Sequence, residues 1–271
     1  MRSMTQEEIK KEELRVLIAF RDFCDEHHLK YALAFGTMLG AVRHNGLIPW
    51  DNDIDVMMLR EDYEKLTEIY EDGFRDTRLL SYKKDPGYIY PFTKIVSART
   101  YVKEDNTQEK LRSKDMGVWI DVFPVDDLGD HPTKEIWKKS RFLQRCMICK
   151  MKGLKKFTNN WVHFDRIFKY GIYCSRHSLA EVRNALDNRL SENFGKKTKF
   201  VGPVVWTTVK CPVPREAWDH LTLHDFEGEK FTIYDIETTD SFLKQLYGDY
   251  MTPPPLRKRN PHDIEAYWRD K

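Results

Sequence analysis

The chain has 271 residues, of which 41% are hydrophobic and 32% charged, and its formal net charge is +2. This composition is typical of a folded globular protein and excludes an intrinsically disordered chain. No apolar run approaches the ~18–20 residues needed to cross a bilayer, and the N-terminus carries no hydrophobic signal segment. We therefore expect a cytosolic protein with one large or two small domains.

The first predicted elements are a helix, a short strand and a second helix. Residues 5–29 have apolar positions at helical intervals, and Thr5 with Glu8 forms the sequence signature of a capping box. The apolar run 31–35 predicts a buried strand. It ends at Gly36, where we expect a tight turn that opens a short helix.

Three aspartates on alternate positions, Asp51, Asp53 and Asp55, precede an apolar run. If this stretch is a strand, the three carboxylates share one face and repel one another, and a hard divalent cation would relieve that repulsion. The stretch does not fit a calcium-binding EF-hand loop, since Val56 and Asp62 stand where that loop needs Gly and Glu. The pattern therefore predicts a metal site at the mouth of a buried strand.

Further elements follow along the chain. In order, we predict a helix near 60–72, a strand around 92–96, a strand over 117–125 with Asp121 at its centre, mostly helical structure over 133–195, short strands at 200–206 and 230–233, and a helix over 239–247.

The segment 138–178 is strongly basic, with eleven Lys and Arg residues and one acidic residue, Asp165. Aromatic and aliphatic residues are interleaved with these charges at roughly helical spacing. Such a segment suits an anionic membrane surface or a polyanionic acceptor, with salt-sensitive association expected. It equally suits a helical hairpin that packs on the core and exposes a basic face to solvent.

Five cysteines are spread along the chain, and Cys146 and Cys149 form one C-x-x-C pair. No second pair or nearby histidine completes a zinc site. We predict buried free thiols.

The order of the polar motifs indicates a fold. Gly36 and Thr37 stand at a predicted helix start, where backbone N–H groups can bind phosphate. The D-x-D pair Asp53 and Asp55 follows, and Asp121 lies on a later strand. This order is the pattern of the nucleotidyltransferase fold, in which three carboxylates converge on Mg²⁺. We predict an α/β (α+β) fold, a mixed sheet flanked by helices with an additional, mostly helical layer.

We expect a catalytic core over 1–130, a basic helical insertion over 131–198, and a C-terminal segment, 199–271, that returns to complete the catalytic domain.

The motifs closely resemble the signature of the LicD-type phosphocholine transferase family. Residues 35–55 read FGTMLGAVRHNGLIPWDNDID, against the family's G-T-L-L-G-A-x-R-H followed by G-F-I-P-W-D-D-D-x-D. Residues 119–126 (WIDVFPVD) and 247–254 (YGDYMTPP) resemble two further blocks. The likeness extends over most of the chain. Asn52 departs from the family's Asp, but a strand residue next to the ligands faces away from them.

The resemblance implies transfer of phosphocholine from CDP-choline to a hydroxyl of a cell-surface glycan, of lipopolysaccharide or teichoic acid type, with release of CMP. Whether the acceptor is lipid-linked stays open. Asp53 and Asp55 would bind Mg²⁺, for which Mn²⁺ is a substitute. Asp121 would be a further metal ligand or the base that takes the acceptor proton, and Asp51 would lie at the rim.

Other residues are candidates for holding the donor phosphates, beside Gly36 and Thr37. Arg43 suits bidentate phosphate binding, with a salt bridge to an aspartate as the alternative. His44 would bind phosphate, protonate the leaving group or serve a structural role. Lys94 is either a phosphate clamp or an internal partner of an aspartate, since a buried unpaired lysine is costly.

Two aromatic positions are expected to be structural or peripheral. Trp50 is predicted to pack beneath the aspartate loop. His262 either closes over the nucleotide or lies on the surface.

Two competing functions remain at this level. The same fold could use another CDP-alcohol, such as the CDP-ribitol of the fukutin-type relatives, or a nucleoside triphosphate. The chain could also be a non-catalytic module that binds a glycan or a membrane through its basic segment. Nucleic acid is not an expected partner.

Overall fold

The computed structural model describes residues 1–51, 53–103, 115–152, 164–190, 195–206, 209–259 and 264–270. The helices are α1 (Gln6–Glu26), α2 (Phe35–His44), α3 (Arg60–Ile69), α4 (Lys134–Lys152), α5 (Phe164–Arg176), α6 (Leu179–Leu190) and α7 (Ile236–Tyr247). The strands are β1 (Arg2–Ser3), β2 (Ala32–Leu33), β3 (Asp55–Leu59), β4 (Thr77–Leu80), β5 (Thr93–Ser97), β6 (Thr100–Lys103), β7 (Trp119–Gly129), β8 (Phe200–Gly202), β9 (Val213–Pro214), β10 (Thr222–Phe226), β11 (Glu229–Ile233) and β12 (Glu265–Trp268).

A mixed sheet with the order β2-β3-β7-β5-β4 forms the centre of the fold. Strands β3 and β7 are parallel, whereas β2, β5 and β4 join with antiparallel pairings. The far end of β7 continues past this sheet and pairs with β8 from the C-terminal third of the chain. The predicted α/β class with a mixed sheet and flanking helices is confirmed.

Helix α1 begins as predicted, with the Thr5 and Glu8 side chains each bonded to the other's backbone N–H. Its buried apolar face, which includes Val16, Leu17 and Phe20, packs across β5 and β7. The helix ends at Glu26, three positions before the predicted end, and His28 then takes a left-handed conformation (φ 54°). The close docking of α1 on the sheet matters for the site described below.

The aspartate stretch is not the strand that its alternating pattern predicted. Only Asp55 lies in a strand, while Asp51 and Asp53 belong to the loop before β3. A turn at Pro49 and Trp50, closed by a 2.9 Å hydrogen bond from Asp51 N–H to Ile48 O, bends the chain away from extended structure. Asn52 lies outside the described residues, so the expectation that it faces away from the ligands stays a prediction.

Two other boundaries differ from the expectations. Strand β2 is limited to two residues because Phe35 already begins α2, with a positive φ of 42°. Gly36 and Thr37 therefore lie inside the first turn of α2 and not at the end of a strand. Asp121 is the third residue of β7, which continues to Gly129, so this carboxylate stands near the start of its strand and not at its centre.

The helical layer is attached to the sheet by a buried ionic cluster. Arg60, at the start of α3, binds both carboxylate oxygens of Asp126 on β7, at 2.7 and 3.0 Å, and one oxygen of Asp187 on α6, at 2.9 Å. Arg60 and Asp126 are almost completely buried. Breaking such a pair leaves an uncompensated charge in the interior, so this cluster fixes α6 against the strand that carries Asp121.

The five cysteines are buried free thiols, as predicted. Cys146, on α4, accepts a hydrogen bond at its backbone carbonyl from the Cys174 thiol on α5. Burial raises the pKa of the Cys149 thiol to about 12, so this group is an uncharged part of the core. Of the helices within the described ranges, none combines the length and the apolar character needed to cross a membrane.

Candidate active site

The parallel pairing of β3 and β7 places Asp55 directly opposite Asp121. A 2.8 Å hydrogen bond from Asp121 N–H to Ile54 O holds the two strands together at this level. Two aspartates separated by some sixty-five positions in the sequence therefore stand side by side at the same end of the sheet. Their carboxylates are partly accessible to solvent, although protein surrounds them on most sides.

The first turn of α2 supports the acidic loop. A Cβ at Gly36 would lie 2.9 Å from Asp51 Oδ2, so a larger residue here would displace this carboxylate from the start of the helix. The buried Thr37 hydroxyl accepts a 2.8 Å hydrogen bond from Asp55 N–H and thereby fixes the first residue of β3. Gly36 and Thr37 thus contact the aspartates, and their binding of phosphate stays a prediction.

The carboxylates interact strongly with one another. The pKa of Asp55 is raised well above its usual value, first by burial and then by Asp53, Asp121 and Asp51. The pKa of Asp121 is also raised by burial, while Lys94 acts in the opposite direction. The structure therefore brings the four predicted acidic residues into one site, even though only two of them lie in strands.

Lys94 is the internal partner of an aspartate, the second of the two alternatives considered for it. It lies on β5 opposite Asp121, and its ammonium group forms an ion pair with that carboxylate. The ammonium is also within 4.3 Å of the Trp119 ring centroid and 4.9 Å of the Tyr90 ring centroid. These rings surround the lysine's own cation.

Glu13 is a member of the acidic cluster that the sequence did not reveal. It lies on α1, it is 2% exposed, and within the described residues its Oε2 has no hydrogen-bond partner. Burial raises the pKa of Glu13 well above its usual value, and Asp53, Asp51 and Asp121 raise it further. The helical pattern marks Glu13 as flanking the apolar face of α1. It gives no sign of what lies opposite.

Arg43 and His44, at the end of α2, stand beside Trp50. Arg43 donates hydrogen bonds to Tyr250 O (2.6 Å) and His44 Nε2 (3.0 Å), and among the described residues it forms no salt bridge to an aspartate. Burial and the neighbouring guanidiniums of Arg43 and Arg259 lower the pKa of His44.

Trp50 is half-buried, with Arg259 over its ring at 4.2 Å. It therefore serves as a platform for cations beside the acidic loop.

Tyr247 borders the same site from the end of α7. The residue is 44% exposed, but burial of its hydroxyl raises its pKa, and Asp55, Asp51 and Asp53 raise it further. The side chain therefore lies near the aspartates, and the residue remains partly open to solvent. Glu13, Tyr247 and Arg259 are the site residues that the sequence pattern missed. Only for Tyr247 did the sequence contain an indication, since this residue is the first of the motif at 247–254.

The donor groups fit a divalent cation. The site offers carboxylate oxygens, the ligands that Mg²⁺ and Mn²⁺ prefer, and one of them is a buried oxygen without a partner. In the part of the chain that the structure describes, no three His, Cys, Asp or Glu side chains are gathered closely enough to form a ready-made metal site.

The described part of the basic segment packs on the core and exposes a basic face, and its association with a membrane or a polyanion stays a prediction. On α4, Trp137, Leu143 and Met147 are buried against the core, while Lys134, Lys138, Arg141 and Arg145 are exposed. Lys210 lies near this face, because Lys134, Lys138 and Arg141 contribute to lowering its pKa, after loss of hydration. The helix therefore packs on the core and presents a basic surface. Lys155, Lys156 and His262 lie outside the described residues.

Comparison with known proteins identifies relatives of the chain. The sequence model described as "LicD/FKTN/FKRP, nucleotidyltransferase domain" matches residues 28–162. The lipopolysaccharide cholinephosphotransferase LicD of Haemophilus influenzae is 28% identical over 286 aligned positions, which cover 98% of this chain and 99% of the relative. An uncharacterised protein of Rickettsia prowazekii is 27% identical, over 73% of this chain and 72% of its own. The family match includes Asp53, Asp55 and Asp121.

Glu13 should make stability depend on pH in the absence of divalent cations. A carboxyl with a raised folded-state pKa contributes stability that is present below its unfolded-state pKa and is lost as pH rises through the folded-state value. We expect the melting temperature, measured in EDTA from pH 5 to 9, to fall less steeply for Glu13→Gln than for the native chain.

Glu12→Gln is the matched control, because Glu12 is also buried on α1 but its carboxylate is held by Arg15 and Ser97. This variant should retain the native slope. Equal slopes for Glu13→Gln and the native chain would show that Glu13 does not interact with the acidic cluster.

Proposed function

The chain belongs to the LicD-type family, and we propose that it transfers phosphocholine from CDP-choline to a hydroxyl of a cell-surface glycan. An acceptor of lipopolysaccharide or teichoic acid type, lipid-linked or free, would suit this reaction. The observation that carries the proposal is the pairing of Asp55 with Asp121 beside Asp51 and Asp53. The full-length similarity to a lipopolysaccharide cholinephosphotransferase supports the choice of reaction.

In the proposed reaction, the acceptor hydroxyl oxygen attacks the phosphorus that bears choline. A new P–O bond forms to the acceptor, and the P–O bond to the cytidine monophosphate breaks. CMP leaves with the bond electrons, and the hydroxyl proton passes to a base. No oxidation or reduction takes place. Such transfers depend mainly on positioning and on neutralising phosphate charge.

The acidic cluster would hold a divalent cation, with Asp53 and Asp55 as ligands and Asp121 as a further ligand or the base. When bound, Mg²⁺ or Mn²⁺ would neutralise charge on the donor diphosphate. Two residues support this site. The Thr37 hydroxyl holds the backbone N–H of Asp55, and Lys94 favours the ionised form of Asp121. An ionised Asp121 is required in either of its two roles.

Choline recognition would use an aromatic face at the edge of the site. A quaternary ammonium is attracted to the negative face of an aromatic ring. Tyr247, which is partly exposed and lies near the aspartates, would suit this contact.

The proposed reaction is tested by following CMP release from CDP-choline in the presence of magnesium and a glycan acceptor. Asp53→Asn, Asp55→Asn and Asp121→Asn should each lower kcat by about 10²–10³-fold or more, because each removes a carboxylate that would hold the charge-neutralising cation or take the acceptor proton. Asp225→Asn is the control, since Asp225 is exposed and pairs only with Lys230 on the same hairpin. It should retain native activity.

Parallel assays with CDP-ribitol, CDP-glycerol and ATP distinguish the alternative donors. If the chain turns over one of these compounds and not CDP-choline, that compound is the donor. The proposed metal site would be unaffected by this result. Unchanged activity in cells for Asp53→Asn would favour the non-catalytic module.

We propose a second, separate contact, between the exposed basic face of α4 and an anionic membrane surface. Each basic side chain near such a surface contributes about 1 kcal/mol, an effect that salt screens. Replacing Lys134, Lys138, Arg141 and Lys210 together by Gln should weaken co-sedimentation with phosphatidylglycerol vesicles about tenfold or more.

A control with the same change in charge replaces four exposed lysines elsewhere, Lys11, Lys65, Lys230 and Lys244. If both variants lose vesicle binding equally, binding depends on the net charge of the protein and not on the basic face of α4. Binding to a soluble teichoic polymer but not to vesicles would assign the basic face to the acceptor.

A further inference from the structure

Two guanidinium groups lie on one aromatic platform beside the acidic site. Arg259 Cζ is 4.2 Å from the centroid of the Trp50 ring, and Arg43 Cζ is 5.9 Å from it. The two arginines come from distant parts of the chain, one from α2 and one from the segment after the proline run. Trp50 immediately precedes Asp51, so this cationic pair adjoins the acidic loop.

Backbone carbonyls hold both arginines in place. Arg259 Nε donates to Pro254 O at 2.8 Å, within a short helical turn at Leu256–Lys258 that folds the chain back toward Trp50. Arg43 uses Nη1 and Nε for Tyr250 O and His44. These bonds orient the two side chains, and the bond of Arg259 uses only its Nε.

The pair carries positive charge without a counterion among the described residues. Neither Arg43 nor Arg259 forms a salt bridge to a described carboxylate, in contrast to Arg15, Arg60 and Arg215. Burial and the charge of Arg259 both lower the pKa of Arg43. Two like charges held together and partly desolvated are costly unless an anion joins them. A planar guanidinium matches phosphate with two parallel hydrogen bonds.

We propose that Arg259 and Arg43 together bind a phosphate group of the donor, the one that leaves with the nucleotide. This inference rests on the proposed function, in which a diphosphate must span from the acidic cluster to a leaving nucleoside monophosphate. The cation would hold one end of the diphosphate and the arginine pair the other.

The test is calorimetric titration of the full chain with inorganic pyrophosphate and with CMP, with magnesium present throughout. Arg259→Gln should weaken binding of both about tenfold, because a charge-assisted bidentate contact is lost. Arg259→Lys should recover part of the affinity, since it keeps the charge but not the planar geometry. Arg257→Gln is the matched control, because Arg257 lies two positions away and is exposed. It should bind as the native chain does.

Kinetics with CDP-choline provide a second readout. Arg259→Gln should raise the donor KM about tenfold, with a smaller effect on the acceptor KM. Native affinity of Arg259→Gln for both pyrophosphate and CMP would overturn the inference, whether or not CDP-choline is a substrate. The native chain could bind pyrophosphate through Arg259 and still not turn over CDP-choline. That result would support the phosphate site and contradict CDP-choline as the donor.

Discussion

The parallel pairing of β3 with β7 is the constraint on which the site depends. It places Asp55 opposite Asp121, and the loop before β3 adds Asp51 and Asp53. The resulting repulsion between carboxylates is opposed only in part by Lys94. The sheet can hold these charges together because its core is large and because the Arg60–Asp126 ion pair anchors β7 further along the strand. Stability elsewhere in the fold thus maintains an arrangement that is unfavourable in itself.

The site has two electrostatic halves that meet at Trp50 and Asp51. The acidic half suits a divalent cation, and the basic half, Arg43 and Arg259, suits a phosphate. A diphosphate donor needs both, because its charge is spread over two phosphorus centres. Trp50 and Asp51 are adjacent in sequence, so the aromatic platform of the arginine pair directly precedes the acidic loop.

Much of the fold and of the site could be predicted from the sequence, but the features that depend on tertiary contacts could not. The capping box of α1 and the strand around Lys94 are local features, and they were found. The alternating aspartates predict a strand, but a period of two does not distinguish a strand from a loop that follows a turn such as the one at Pro49. Glu13 and Arg259 could not be predicted as site residues, because their positions depend on tertiary contacts. These contacts are the docking of α1 and the return of the chain after its prolines. No local pattern encodes them.

The central claim is that the carboxylate cluster binds a divalent cation. The most direct test is the melting temperature of the native chain and of Asp55→Asn as MgCl₂ or MnCl₂ is added. A cation that binds only the folded state must raise the melting temperature with concentration. We predict that rise for the native chain, and for Asp55→Asn a higher starting value in EDTA with little further increase. A native chain that neither metal stabilises, or an Asp55→Asn variant that gains as much as the native chain, would contradict the claim.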